Sequence, residues 1–204
     1  MTAVRTPVFD PVLHFADVTF AGSGSAGASG ADPENARHVA LTGMALTMVG
    51  ACRRALDLVL DHVRTRRQFD APIGSFQAVQ HKAADMHVAI ERARALAYFA
   101  ALTIAEDDPR RGLAASMAKA SAGECQALEF RNAVQLFGAM GHTRENDLQF
   151  AVKRAKAAEL MLGGAAEHRA LVADRWVAEA ATPRTPPSST NSTPPGRGPP
   201  RTRR

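Results

Sequence analysis

Apolar residues recur every three or four positions along most of this chain, a spacing that predicts helices. The first run opens at Asp32-Pro33, an N-cap residue followed by the ring that suits the first helical position. Leu46, Val49, Cys52, Leu56, Leu60 and Val63 then share one face, and the run ends near Arg66. Pro72 and Gly74 break the pattern, which resumes at Ser75 with Phe76, Val79, Ala83, Met86, Ile90 and Ala97. Asp108-Pro109 repeats the cap-and-proline signature and predicts a third helix through Met117, Leu128 and Val134 towards Gly138. GAMGHT interrupts it. A further helical stretch runs from beyond Glu145 to Trp176, bent or broken at Gly163-Gly164, where each glycine costs about 1 kcal/mol relative to alanine. Four or five helices with short connections predict an all-α, up-down four-helix bundle over residues 32–181.

The flanks read differently. Residues 8–20 read as extended chain and run into AGSGSAGASG, a linker too rich in Gly and Ser to order by itself. One strand has no partner, so residues 1–31 are expected to be the remnant of a β-domain whose other strands lie elsewhere. Residues 182–204 contain seven of the twelve prolines with Ser, Thr, Asn and Arg, and are expected to be a disordered tail.

Composition changes this picture little. Hydrophobic residues make up 46% of the chain, enough for a core, and aromatic residues only 5%, so the alanine-rich helices must pack closely. The net charge of +5 is carried by Arg184, Arg197, Arg201, Arg203 and Arg204 of the tail, and the remainder balances to zero. The body has no basic stripe with interleaved aromatics, so no specific nucleic-acid partner is expected. No run of about 18 to 20 consecutive apolar residues and no signal peptide is visible, which points to a cytoplasmic protein without a membrane span. Cys52 and Cys125 lack metal or redox spacing and read as small buried hydrophobes.

Two familiar motifs fail on context. GSGSAG, Gly22 to Gly27, spells a dinucleotide loop, but a Rossmann unit would follow it with a helix and a returning strand. No Glu-x-x-His pair is present for a di-iron centre, and His81, His87 and His168 read as surface or packing residues.

RTRRQFDAPIGSFQAVQ is more informative. Arg66, Gln68 and Phe69 stand at a helix end and Phe76-Gln77 open the next helix, so a guanidinium, two amides and an aromatic ring converge on one corner. A guanidinium fork matches phosphate oxygens in shape and charge. In QLFGAMGHTREND, Gln135 to Asp147, Gly138 and Gly141 leave backbone open to a ligand.

Together with RRALD, MAKA and KRAKA in the same order, these segments resemble the acyl-CoA dehydrogenase family over about residues 33–176. That family carries Arg-x-x-Phe-Gly-x-Pro-Ile, Phe-Gln and Gln-x-x-Gly-Gly-x-Gly-Phe-Thr in its C-terminal helical domain. The resemblance implies FAD as cofactor and an acyl-CoA thioester as substrate. It also implies a homo-oligomer, or a hetero-oligomer with another acyl-CoA dehydrogenase subunit, because each flavin is clasped across a subunit boundary. Carried over by position, Arg66 stands at the pyrophosphate and Phe69 and Gln77 beside the flavin, with Gln68 also expected among the cofactor-binding residues. Gln135 and Gly138 fall at the ADP portion. In the family's reaction a carboxylate removes the α proton while the flavin accepts the β hydride.

The resemblance also shows departures. The two places where the family carries its catalytic glutamate hold Leu162 and Ala40, and the nearest acids, Glu34 and Glu159, read as a dipole partner and a solvated face residue. Asp70, Ala139 and His142 replace a glycine, a glycine and an aromatic residue, and a carboxylate at Asp70 would repel a pyrophosphate. No catalytic base is assigned. Three readings follow: an acyl-CoA dehydrogenase-like oxidoreductase incomplete alone, a noncatalytic FAD-clasping subunit, or an inactive truncated remnant.

Overall fold

A computed structural model describes residues 1–22 and 30–181 of the chain; most of GSGSAG and the tail from 182 onward lie outside the described residues. Over the described residues the protein is all-α apart from two small hairpins. Helix α1 spans Pro33–Thr65, α2 Gln77–Ala105, α3 Arg111–Phe137, α4 Leu148–Leu160 and α5 Ala165–Ala181. Strands β1 (Thr2–Arg5) and β2 (Ala16–Thr19) precede the helices, and β3 (Arg67–Gln68) and β4 (Ala71–Pro72) lie between α1 and α2. Helix α3 is the central element, packed against α1 and α2 and covered by α5, while α4 packs on α1. The fourth side of the bundle is therefore two helices, separated by the break expected at Gly163-Gly164.

Alanine makes this arrangement possible. Ala93, Ala97, Ala100, Ala115, Ala118, Ala122, Ala133 and Ala155 are essentially solvent-free. Side chains this small lose no rotamer entropy on burial and let helix axes come close. Larger groups fill the gaps between them: Leu41, Met48, Val59, Met86, Ile90 and Leu148. Cys52 and Cys125 are buried and free, as expected for small hydrophobes. By length and composition α1 could cross a membrane. In this fold its apolar residues Ala45, Met48, Cys52, Leu56 and Val59 belong to the bundle core instead.

The helix starts follow their caps only in part. Asp32 accepts the Asn35 amide at 2.9 Å and Pro33 opens α1, as its sequence requires. At Asp108-Pro109 the cap is displaced. The Asp108 carboxylate accepts the Arg110 amide at 2.7 Å, forming a turn, and α3 begins two residues later, at Arg111. The N-terminal expectation needs a larger correction. The strand has a partner within the chain, β1, paired antiparallel with β2 in the register Thr2↔Thr19 to Arg5↔Ala16. The intervening loop folds back because buried Asp10 accepts the Val12 amide and pairs with Arg154 of α4. A four-residue strand of mixed polarity, TAVR, carries too few alternations to be read from sequence.

Candidate functional site

The corner where α1 ends is shaped by main-chain geometry. Arg66 leaves the helical region at the C-cap, and its amide donates to the His62 carbonyl at 2.9 Å. The chain turns through β3 and β4, paired Arg67↔Pro72 and Gln68↔Ala71, and the Ile73 amide returns to the Arg66 carbonyl at 2.9 Å. Phe69 and Asp70 make this two-residue turn with φ of 54° and 61°. A hairpin turn with both central residues at positive φ ordinarily takes Asn-Gly, and side chains held there cost about 1–2 kcal/mol each. The Arg67 guanidinium, donating to the Asp70 carbonyl at 2.6 Å, holds the turn. Phe69 is 90% exposed, with Phe76 edge-on at 6.2 Å. A strained and exposed aromatic residue is a feature that packing alone does not produce.

Facing this hairpin, α3 ends at Phe137 and passes into a 3₁₀ turn, Gly138–His142. Between the two ends lies a cavity of about 290 Å³ lined by His62, Arg66, Gln68, Gln135, Gly138 and Met140, among others. Arg66, Gln68, Gln135 and Gly138 are thus brought together. Phe69 and Gln77 are exposed and lie outside the cavity lining, one at the hairpin tip and the other in the first turn of α2. Gly138 has φ 63° and ψ −139°, a conformation that needs glycine, and a Cβ there would meet nothing within 4 Å. The expectation of open backbone holds there and fails at Gly141, where a Cβ would lie 3.0 Å from Val134 main chain; that glycine serves close packing.

Two helix C-termini, those of α1 and α3, point at this cavity, and the partial negative charge of their carbonyls disfavours an anion. Arg66 offsets it. Asp70 does not line the cavity, so its carboxylate is less opposed to a phosphate than its place in the sequence implies. The donors therefore fit part of a nucleotide cofactor: a guanidinium for a diphosphate, and the amides of Gln68 and Gln135 for polar edges. The volume lies near the lower end of those that enclose drug-sized ligands, too small for a whole dinucleotide. His62 and Phe137, which the sequence did not single out, also meet here, their rings tilted by 34° with centroids 4.6 Å apart. The available signal was spacing: His62 precedes Arg66 by four residues and so shares its face. Burial, and secondarily the Arg66 charge, push the His62 imidazole below its ordinary pKa.

The positions corresponding to the family's base are also defined. Ala40 is half-buried on α1. Leu162 sits at φ 60° in the turn between α4 and α5, with its side chain 43% exposed. Lys119, 1% exposed, reaches this turn from α3 and donates to the carbonyls of Glu159, Met161 and Gly163 at 2.5 to 3.0 Å. His168 Nε2 lies 2.9 Å from the Leu162 carbonyl. Glu159 is not a solvated face residue: it pairs with Lys156 at 2.9 Å and accepts the Ala165 amide at 3.3 Å. Glu34 is exposed in the first turn of α1, 3.9 Å from His38. A second cavity, of about 440 Å³, lies at that end of the bundle, where Glu34, His38, Arg111, Ser116 and Arg175 meet. His38 Nδ1 and Arg111 Nε are buried there without hydrogen-bond partners among the described residues.

Comparison with known proteins identifies the family of this fold. Residues 38–177 match the family described as acyl-CoA dehydrogenase, C-terminal domain. The chain is 32% identical over 162 residues to the acyl-CoA dehydrogenase IpdE2 of Mycolicibacterium smegmatis, covering 79% of this chain and 49% of that protein. It is 35% identical over 145 residues to a 3-sulfinopropanoyl-CoA desulfinase of Paraburkholderia xenovorans, covering 71% and 36%. Among solved structures, a Tcur3481–Tcur3483 steroid ACAD variant superposes with a TM-score of 0.80 at 27% identity, covering 89% of this chain and 50% of that one. The chain thus spans half or less of the length of the proteins it matches. On its fold, its motifs and these matches, this chain belongs to the acyl-CoA dehydrogenase family, of which it carries the C-terminal helical domain.

Proposed function

We propose that this chain supplies the helical part of a flavin-dependent acyl-CoA dehydrogenase site that is shared between subunits. Arg66, Gln68, Gln135 and Gly138 hold the diphosphate and adenylate end of FAD, and Phe69 and Gln77, exposed beside them, meet the flavin end. The observation that carries this reading is the convergence of Arg66 with the Gln135–Gly138 turn on one cavity, although Arg66 and Gln135 lie 69 positions apart in the sequence. FAD, when bound, supplies the hydride acceptor for α,β-dehydrogenation of an acyl-CoA thioester. The protein's own residues bind and orient it. The second cavity, with Arg111, Arg175 and His38, suits the phosphates of the thioester substrate.

Leu162 and Ala40 cannot accept a proton, so within such a site the α proton goes to a carboxylate outside these two positions. This favours, as a second reading, a noncatalytic FAD-clasping subunit in a homo- or hetero-oligomer with another acyl-CoA dehydrogenase chain. Fluorescence titration of the purified chain with FAD, alone and coexpressed with a longer family member, tests both. Saturable binding in either form supports the cofactor reading, and no binding in both removes it. Unchanged activity of the longer partner after Arg66→Ala in this chain removes the clasping role.

A further inference from the structure

His62 is the titratable group that the cofactor reading leaves without a task. It lines the cavity one helical turn before Arg66, its ring lies against Phe137 at 4.6 Å and 34°, and neither ring nitrogen has a hydrogen-bond partner among the described residues. The groups facing it are few. Arg66 on α1 is the other charged residue in the cavity lining. The β3–β4 turn contributes Gln68 and the following 3₁₀ turn Ile73, both uncharged. From α3 come Gln135 and Phe137, and from the turn after it Gly138 and Met140. His142, the last residue of that turn, lies outside the lining.

We propose that His62 is a second, proton-dependent ligand for the diphosphate of a nucleotide cofactor in this cavity, so that the protein takes up a proton as it binds FAD and holds FAD more tightly at acid pH. The inference rests on the cofactor reading above. Burial and the neighbouring guanidinium lower the imidazole's pKa below its ordinary value. A diphosphate reverses that balance. Its charge occupies the Arg66 guanidinium and offers the imidazolium an acceptor, while the carbonyl ends of α1 and α3 already favour a cation. By linkage, each unit by which the bound ligand raises the His62 pKa appears as a tenfold gain in affinity between a pH above both pKa values and one below both. The tilted contact with Phe137 engages the ring face and leaves its nitrogens to the ligand.

The test is FAD binding to the full-length chain, coexpressed with its longer partner where that is needed for binding, at pH 5.5 and 7.5. FAD is the suitable probe because its diphosphate diester keeps the same charge over this range. We expect the dissociation constant to fall roughly tenfold on acidification. We also expect calorimetry in buffers of different ionisation enthalpy to report proton uptake. His62→Phe, which preserves an aromatic contact with Phe137, removes both effects, and His62→Gln serves if the phenylalanine variant fails to fold. His142→Gln leaves both in place. A pH-independent dissociation constant in the unaltered protein, or a pH effect that survives in both His62 variants, overturns the proposal while the cofactor reading stands. Absence of FAD binding at either pH overturns the cofactor reading and this inference with it.

Discussion

The α4–α5 turn and the β3–β4 turn both hold residues at positive φ that are not glycine, but they are supported in opposite ways. Leu162 is fixed from inside: a fully buried lysine from α3 binds carbonyls on both sides of it and His168 binds its own. Phe69 and Asp70 are fixed from outside, by one exposed arginine donating to the Asp70 carbonyl. The first turn is part of the bundle core and cannot relax without opening it. The second is strain carried on the surface beside a cavity, where a ligand or a neighbouring subunit can use it.

The sharpest way to break this contrast is Lys119→Met. It leaves three carbonyls without their donor, and each unsatisfied buried group costs about 1–3 kcal/mol, so urea unfolding is expected to show a loss of roughly 4 kcal/mol. A loss below about 1 kcal/mol would mean that the turn holds itself. The interior also carries an unsatisfied acid. Glu129 is fully buried with neither carboxylate oxygen partnered among the described residues, and burial raises its pKa from 4.5 to about 8. Its folded pKa lies above its unfolded one, so its contribution is full below about pH 4.5 and is lost as pH rises towards 8. Stability measured by urea at several pH values is expected to decline over that window by on the order of 3 kcal/mol, and Glu129→Gln to remove the slope.

At the corner the expected effects on folding are smaller and those on ligand larger. Arg66→Ala is expected to weaken FAD binding by about 10- to 100-fold, the worth of a charge-assisted hydrogen bond, with unfolding shifted by less than about 0.5 kcal/mol. Full FAD binding retained by Arg66→Lys would deny the guanidinium geometry any part. The smallest change is Asp70→Gly, which relieves φ 61° and is expected to stabilise the fold by up to about 1 kcal/mol in thermal unfolding. No gain would mean that Asp70 is held there without strain.

The helices were legible because their apolar spacing and the Asp32-Pro33 start are local signals. The candidate corner was legible for a related reason: Arg66, Gln68, Gln135 and Gly138 lie at helix ends marked by Pro72, Gly74, Gly138 and Gly141. His62 and Phe137 were not, because each reads as an ordinary helix residue until the two helix ends meet. Lys119 was hidden likewise: nothing in MAKA says that a lysine is buried, or that its partners lie 40 or more residues away. Strand β1 was too short to announce itself, and its pairing depends on Asp10 reaching Arg154.

Sequence alone determined the class of fold, the places where the helices break, and the absence of a carboxylate at positions 40 and 162, since these follow from local spacing and residue identity. Only the tertiary structure decided which groups face each other: that Arg66 and Gln135 share a cavity with His62, that Glu129 is buried unpaired, and that Lys119 clamps Leu162. Such facts depend on how distant helices pack. Packing is set by the summed fit of many small side chains along α3, and no single segment carries that information.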